Sequence, residues 1–405
     1  MPKKSHIRVA DLRGYSRLAI DATLGLASLV ETMHHNILRT PGIRGKSTQE
    51  PATGITGLVY KSIRGVTRLV GGGIDAVLGQ LVPLFGGSAS SAEREAVVAA
   101  LNGVLGDHLQ ASANPLAIPM QLRCNGQTLE LRRKALKAAI PDATGKVLLL
   151  AHGLCMNDLE WRRKGHDHGA ALAAEAGFTP VYLHYNSGLH ISTNGRAFAE
   201  QIEALLRAWP VPVEELVILG HSMGGLVARS ACHYGGLARH EWLRHLRKII
   251  FLGTPHHGAP LERGGNWVDV ILDASPYTTA FARLGKIRSA GITDLRHGSL
   301  LDADWEHHDR FARSRGKQAA VPLPQNVVCY AIAASIAKKT GEPAKQLLGD
   351  GLVPLASALG QHVDADRNLS FPKTRQWIGY GMNHLDLLDR KDVYGRIKRW
   401  VSESQ

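Results

Sequence analysis

Apolar positions along this chain change their spacing several times, and each change marks an element. Over residues 12–38 they recur at helical intervals: Leu12, Tyr15, Ala19, Ala22, Leu26, Val30, Met33 and Ile37. Pro41, Gly42, Gly45, Pro51 and Gly54 then mark a loop. From there the stripe Ile55, Val59, Ile63, Val66, Val70, Ile74, Val77, Leu81 and Phe85 advances by steps of four, four and three. An eleven-residue repeat means about 3.67 residues per turn, so one apolar stripe stays aligned along a nearly straight helix. Lys61, Arg64 and Arg68 lie off that stripe. Gly71-Gly72-Gly73 weaken it by about 1 kcal/mol each relative to alanine. The segment therefore reads as two helices, or as one that forms against a surface. Ser90-x-x-Glu93 then reads as a capping box opening a helix that holds Val97, Val98, Leu101, Val104 and Leu105.

After Pro115 the period shortens. Residues 118–123 and 128–134 flank Asn125-Gly126, a hairpin signal. Short apolar runs then alternate with helical stretches. Strands are predicted at Lys146–Ala151, Pro180–Tyr185, Leu216–Leu219, Lys248–Leu252, Val327–Ala333 and Arg375–Tyr380, with helices at Gly195–Ala208 and Gly224–His233. Apolar strands separated by helices imply a mostly parallel sheet covered on both faces. The stretch from about 258 to 324 is too long for a simple crossover and reads as a helical lid insertion. Two domains are expected: a helical N-terminal region over 1–112 and a catalytic domain over 113–405.

Composition narrows the class. With 405 residues, 44% apolar and 20% charged, the chain is globular and long enough for a full core. No run of about 18 uncharged apolar residues appears, which argues against an ordinary transmembrane helix. Asp11, Arg13, Arg17 and Asp21 interrupt any signal-peptide core. Cys124, Cys155, Cys232 and Cys329 are far apart with no C-x-x-C, so they read as free buried thiols in a reducing cytoplasm. The net charge is +13, and residues 1–90 hold eleven Lys/Arg against five Asp/Glu. An anionic surface is the partner such a charge suits. The stripe at 55–85 would lie on an anionic membrane or lipid granule, or pack on the helices at 12–38 and 92–110. The basic residues are not interleaved with stacking aromatics, so nucleic acid is not expected.

The chemistry concentrates late in the chain. Gly220-His221-Ser222-Met223-Gly224 follows an apolar strand and opens a helix, the strand–turn–helix context that a nucleophile elbow needs. A sharp turn there exposes the Ser222 oxygen at a helix N-terminus, where developing negative charge is favoured. His152-Gly153-Leu154 ends the first central strand. In such an architecture the backbone N–H groups of Leu154 and Met223 are the expected oxyanion donors, and His152 is expected to hydrogen-bond behind them. A serine needs a base to take its proton and an acid to orient the base. Asp350, between two glycines after a late strand, suits the acid. His384, just after the final strand, suits the base. Asp386 is a rival acid, but it lies only two residues from His384. His166-x-His168 falls in a predicted helix, where positions i and i+2 face apart, so shared metal coordination is not expected. His256-His257 reads as packing beside the site. No phosphate-binding or dinucleotide motif is present, so no cofactor and no metal are expected.

These stretches, in this order, resemble α/β-hydrolases of the lipase/esterase type, and are similar in particular to the catalytic domain of GPI inositol-deacylases. The matching residues are His152-Gly153-Leu154, Tyr185-Asn186-Ser187-Gly188, Asn194-Gly195-Arg196, Gly220–Gly225, Leu252–Gly258, Asp350–Pro354 and Asn383-His384. The resemblance implies an α/β-hydrolase fold, with Ser222 as nucleophile, Asp350 as acid, His384 as base, and Leu154 and Met223 as oxyanion donors. It implies a cofactor-independent serine ester hydrolase but does not fix the substrate; a lipid-like carboxylic ester is the substrate expected here. Leu261, Trp267, Val268, Val270, Ile271, Leu272, Tyr277 and Phe281 of the insertion suit an apolar acyl pocket, a cap packing on its own core, or both. The basic N-terminal region motivates an alternative, a lipid- or granule-surface-binding scaffold on a hydrolase fold. The expected location is cytoplasmic, with peripheral attachment through residues 55–85.

Overall fold

A computed structural model describes residues 10–21, 91–259, 289–306, 318–338 and 349–403. The stripe at 55–85 and the apolar insertion residues from Leu261 to Phe281 lie outside the described residues.

The chain divides into two compact units, one of Met1–Arg94 with Leu109–Ala117, the other of Glu95–His108 with Ile118–Gln405. Helix α1, Ala92–Ala111, contributes residues to both. In the first unit residues 10–21 are helical. Asp11, buried, takes a bidentate ion pair from Arg94, at 2.5 and 2.6 Å. Asn114 Nδ2 donates to the Gly14 carbonyl. The cap of α1 falls one residue later than the sequence suggests: Ser91 Oγ accepts from the Arg94 amide at 3.2 Å. Ser90 lies outside the described residues. Spacing alone does not choose between adjacent serines.

The second unit is built on an eight-stranded sheet. Its strands are β1 (Gln121–Cys124), β2 (Gln127–Thr128), β3 (Lys146–Ala151), β4 (Thr179–His184), β5 (Glu215–His221), β6 (Leu246–Leu252), β7 (Val328–Ser335) and β8 (Gln376–Tyr380), in the order β2-β1-β4-β3-β5-β6-β7-β8. Strands β3 to β8 are parallel to one another, whereas β1 pairs antiparallel with β2 and β4. The hairpin turns on Asn125 (φ 51°) and Gly126 (φ 73°), the doubly left-handed pair a two-residue turn requires. The expected second strand over 128–134 is cut short. Arg133–Ala139 is helix α2 and buries Leu136.

Alternation explains why the central strands are apolar throughout. Val147, Leu149 and Ala151 of β3 join Ile218 of β5 and Ile249 and Phe251 of β6 on one face. Helices α4 (Ile191–Ala208) and α5 (Met223–Leu237) cover that face with Phe198, Ile202, Leu226 and Val227. Leu148, Leu150, Val217, Leu219 and Ile250 point the other way, against α3 (His168–Ala176) and α8 (Lys391–Ser402). Both faces are dry, so neither can alternate with polar residues. Helix α6 (Ala290–His297) belongs to the expected insertion, and α7 (Leu355–Ala358) precedes β8. Among the described residues no helix is long and apolar enough to cross a membrane.

Candidate active site

Ser222 stands between β5 and α5 with φ 53° and ψ −122°, a conformation that costs a non-glycine residue of order 1–3 kcal/mol. Its neighbours enforce it. The Ser222 amide donates to the Leu252 carbonyl at 2.8 Å, and its carbonyl accepts from the Gly225 amide at 3.1 Å. A Cβ at Gly224 would lie 2.1 Å from the Ala151 carbonyl oxygen, and one at Gly220 would lie 2.7 Å from the Gly225 Cα. Only glycine lets these backbones approach so closely.

Asp350 and His384 come from the same end of the sheet, after β7 and β8, and both are buried. Asp350 Oδ2 lies 2.6 Å from His384 Nδ1. Its other oxygen, Oδ1, accepts from the Leu352 amide at 2.9 Å and the Val353 amide at 2.8 Å. The rival Asp386 does not reach the ring. Its Oδ2 accepts from the Asn383 amide at 2.9 Å, closing a cap, and Lys164 Nζ lies 3.6 Å from its Oδ1.

His221 is a part of the site that the motif alone did not reveal, because its position in G-x-S-x-G admits any residue. It is fully buried, its ring centroid lies 4.7 Å from that of His384, and its Nε2 donates to the His384 carbonyl at 3.3 Å. Burial, helped by the neighbouring His384, holds its pKa well below that of a free histidine, so the ring is neutral.

The loop after β3 crosses directly over Ser222. A Cβ at Gly153 would stand 3.1 Å from the Ser222 Cβ. Met223 is the first residue of α5, where helical N–H groups lack helical acceptors. Neither the Leu154 nor the Met223 amide has a hydrogen-bond acceptor among the described residues. His152 supports the loop from below. Its Nδ1 donates to the Gly153 carbonyl at 2.9 Å, its ring stacks on Tyr185 at 4.4 Å, and Tyr185 Oη donates to its carbonyl at 2.8 Å. Burial lowers its pKa to about 3, so it too is neutral.

Below the loop lies a charged cluster that sequence reasoning missed. Arg123 Nη1 reaches Asp158 Oδ1 at 3.0 Å and Glu95 Oε2 at 3.2 Å, and His184 Nδ1 lies 2.9 Å from Asp158. Its members are scattered along the chain, and no spacing rule joins them.

Two other histidine pairs behave differently from each other. His256 is buried, while His257 Nε2 donates to the Gly360 carbonyl at 3.0 Å, a packing role beside the site. The His166–His168 expectation is corrected. Helix α3 begins only at His168, so the two rings meet, with His166 Nε2 2.8 Å from His168 Nδ1. His168 Nε2 in turn donates to the Leu387 carbonyl at 2.9 Å. Among the described residues no group of three or more His, Cys, Asp or Glu could hold a metal ion. All four cysteines are free; Cys124 is only half-buried, against the fully buried thiol expected. A cleft of about 370 Å³, lined in part by Arg133, Trp209, Trp242 and His245, opens beside the N-terminal ends of β5 and β6, away from Ser222.

The mostly parallel sheet and the serine at its strand–helix turn define an α/β-hydrolase fold. Residues 142–328, just under half of the chain, match the family model of the PGAP1-like alpha/beta domain. That stretch contains Leu154, Ser222 and Met223; Asp350 and His384 lie beyond it. Among solved structures the chain is similar to the mature form of the Bacillus licheniformis lipase BlEst2, with 15% identity, covering 63% of this chain and 91% of that one at a TM-score of 0.39. It is also similar to Aspergillus fumigatus lipase B, with 12% identity, covering 69% of this chain and 59% of that one at a TM-score of 0.40. A third is a thermophilic esterase from Thermogutta terrifontis, with 15% identity, 64% and 90% coverage and a TM-score of 0.36. Comparison with curated protein sequences finds no match.

Proposed function

We propose that this protein is a serine hydrolase of carboxylic esters, working through an acyl-enzyme. The observation that supports the reading is the buried Asp350–His384 pair, with a strained Ser222 at the same, C-terminal end of the strands. With Nδ1 donating to Asp350, the ring's Nε2 is the free base. It takes the Ser222 proton as Oγ attacks the ester carbonyl. The Leu154 and Met223 amides receive the oxyanion. Collapse of the tetrahedral intermediate breaks the bond to the alkoxide oxygen, which leaves as alcohol with the proton from His384. Water then adds to the acyl-enzyme, giving its proton to Nε2, and the acid departs as Ser222 regains its hydrogen. The reaction so written draws on no cofactor.

The substrate class we favour is lipid-like. In this reading the apolar residues Trp267, Leu272 and Phe281 of the insertion would suit an acyl chain, and the basic, striped segment 55–85 would suit an anionic membrane or lipid-granule surface. Hydrolysis of p-nitrophenyl esters from acetate to palmitate, by wild type and by Ser222→Ala, tests the reading. Turnover that disappears in the variant is expected. Equal rates for the two proteins would end the assignment and leave a surface-binding scaffold as the better account.

A further inference from the structure

The loop that carries Leu154 follows β3 and is seated by more than the sheet. Cys155, the next residue, sits at φ 61°, and its amide donates to Ser187 Oγ at 3.0 Å. What lies against it is helix α1, from well upstream of the sheet. A Cβ on Gly103 would fall 2.2 Å from Cys155 Sγ and 2.9 Å from both its Cα and its backbone nitrogen. A flexible side chain could swing away from such a contact, whereas two backbone atoms cannot.

The same helix face grips two further segments. A Cβ on Gly106 would lie 1.8 Å from Asn186 Oδ1, and Asn186 Nδ2 donates to the Gly106 carbonyl at 2.9 Å. Ser289 Oγ donates to the Gly103 carbonyl at 2.6 Å, and the Ala290 amide to Asp107 Oδ2 at 3.1 Å. Three segments around the site thus seat on one notched face: the loop after β3, the loop after β4, and the start of α6. Glycine inside a helix is less stable than alanine, because it gives up more backbone freedom and packs no side chain. Two of them here fit a requirement for close backbone approach.

We infer that Gly103 is a positioning residue for the oxyanion donors, its missing side chain setting the height of the loop that carries the Leu154 amide above Ser222. The rate consequence rests on the hydrolase reading, whereas the packing consequence does not. An oxyanion donor acts on charge present only in the transition state, so displacing it lowers kcat and spares KM.

The test is Gly103→Ala in the full-length protein, with Gly236→Ala as control, since a Cβ there meets nothing within 4 Å. One readout is alkylation of the Cys155 thiol by iodoacetamide under native conditions, mapped by peptide mass. The variant should label at least about tenfold faster than wild type. The other readout is ester turnover. Loss of one donor should lower kcat by about 10²–10³-fold while KM changes less than about threefold. Adding Cys155→Gly removes Sγ but leaves the contacts to the Cα and backbone nitrogen, so kcat should stay within about tenfold of that of Gly103→Ala; full recovery would place the effect on Sγ and overturn a role through the loop backbone. Wild-type labelling and wild-type kcat in Gly103→Ala overturn the inference, as does lost turnover with the thiol still protected. If Gly103→Ala does not fold, Gly103→Ala/Cys155→Gly is compared with Cys155→Gly alone, and equal kcat overturns the inference. If wild type hydrolyses no ester while Ser222→Ala behaves identically, the functional reading fails, and the labelling arm still decides the role of Gly103.

Discussion

Asp350→Asn isolates what the acid does for the base. The carboxylate has two distinct oxygens. Oδ1 is fixed by two backbone amides, from Leu352 and Val353, and Oδ2 faces His384 Nδ1 at 2.6 Å. An asparagine keeps its carbonyl oxygen toward the amides, because turning it over would set an NH2 against two N–H donors. Each buried donor left unsatisfied costs about 1–3 kcal/mol, which outweighs the single contact to the ring. The NH2 is therefore aimed at Nδ1, and the imidazole accommodates it by moving its proton to Nε2. In that tautomer Nε2 carries a hydrogen and cannot take one from Ser222. The expected loss is about 10⁴ in kcat, or about 5.5 kcal/mol of barrier, with the fold intact. Single-turnover release of p-nitrophenol, with circular dichroism and thermal melts alongside, measures both. A variant within tenfold of wild type refutes the reasoning, and so does an inactive Asp386→Asn beside an active Asp350→Asn.

Two glycines of one helix should behave oppositely: Gly224→Ala, facing the Ala151 carbonyl at 2.1 Å, should yield little folded protein, while Gly236→Ala, facing open space, should raise stability by about 0.5–1 kcal/mol in urea denaturation. Acid should destabilise the fold through histidines buried as neutral rings: burial lowers His168 to about 4 and His152 to about 3, while the unfolded chain protonates both near 6.5. Stability is then full above that value and falls as pH drops toward 4, with about 3 kcal/mol from His168 alone, and His168→Gln should flatten that limb of a pH series of urea melts. Flotation with anionic liposomes at low salt should carry the wild-type protein but not Val66→Asp/Val70→Asp, with turnover of a soluble ester unchanged; wild type left behind would remove the membrane role.

The parts of the fold that were legible in the sequence are those whose environment is uniform. Strands β3, β5, β6 and β7 are buried on both faces, so Val147–Ala151 and Ile249–Leu252 read as unbroken apolar runs. β3 has the expected bounds, while β5 and β7 run on by two residues, because Gly220-His221 and Ala334-Ser335 still pair with the neighbouring strands. Chain order allows Asp350 and His384 to meet, since each follows a late strand, and the structure brings them to 2.6 Å. The stretch 128–134 was misread because Leu129 and Leu131 alternate like a strand, whereas Leu136 and Ile140 are spaced as a helix, and burial of Leu136 decided the outcome. His166 and His168 were kept apart by assuming a helix that starts two residues too early. Gly103 and Gly106 carried no signal, because their partners Cys155 and Asn186 are brought to them only by the finished fold.

Those two glycines also divide the site into parts with different stiffness. The acid is held through both oxygens, the base through its ring and its carbonyl, and the turn after the base through Leu387 and His168. Among the described residues the loop after β3 is seated by Tyr185, through stacking and its hydroxyl, by the Ser187 hydroxyl and by the face of α1. A small displacement of α1 therefore leaves proton transfer between Ser222 and His384 possible while moving the donor that stabilises the transition state. Changes along residues 95–108 should accordingly tune kcat without changing which residues do the chemistry, and substitutions at Asp350 or His384 should abolish turnover however well the loop is seated.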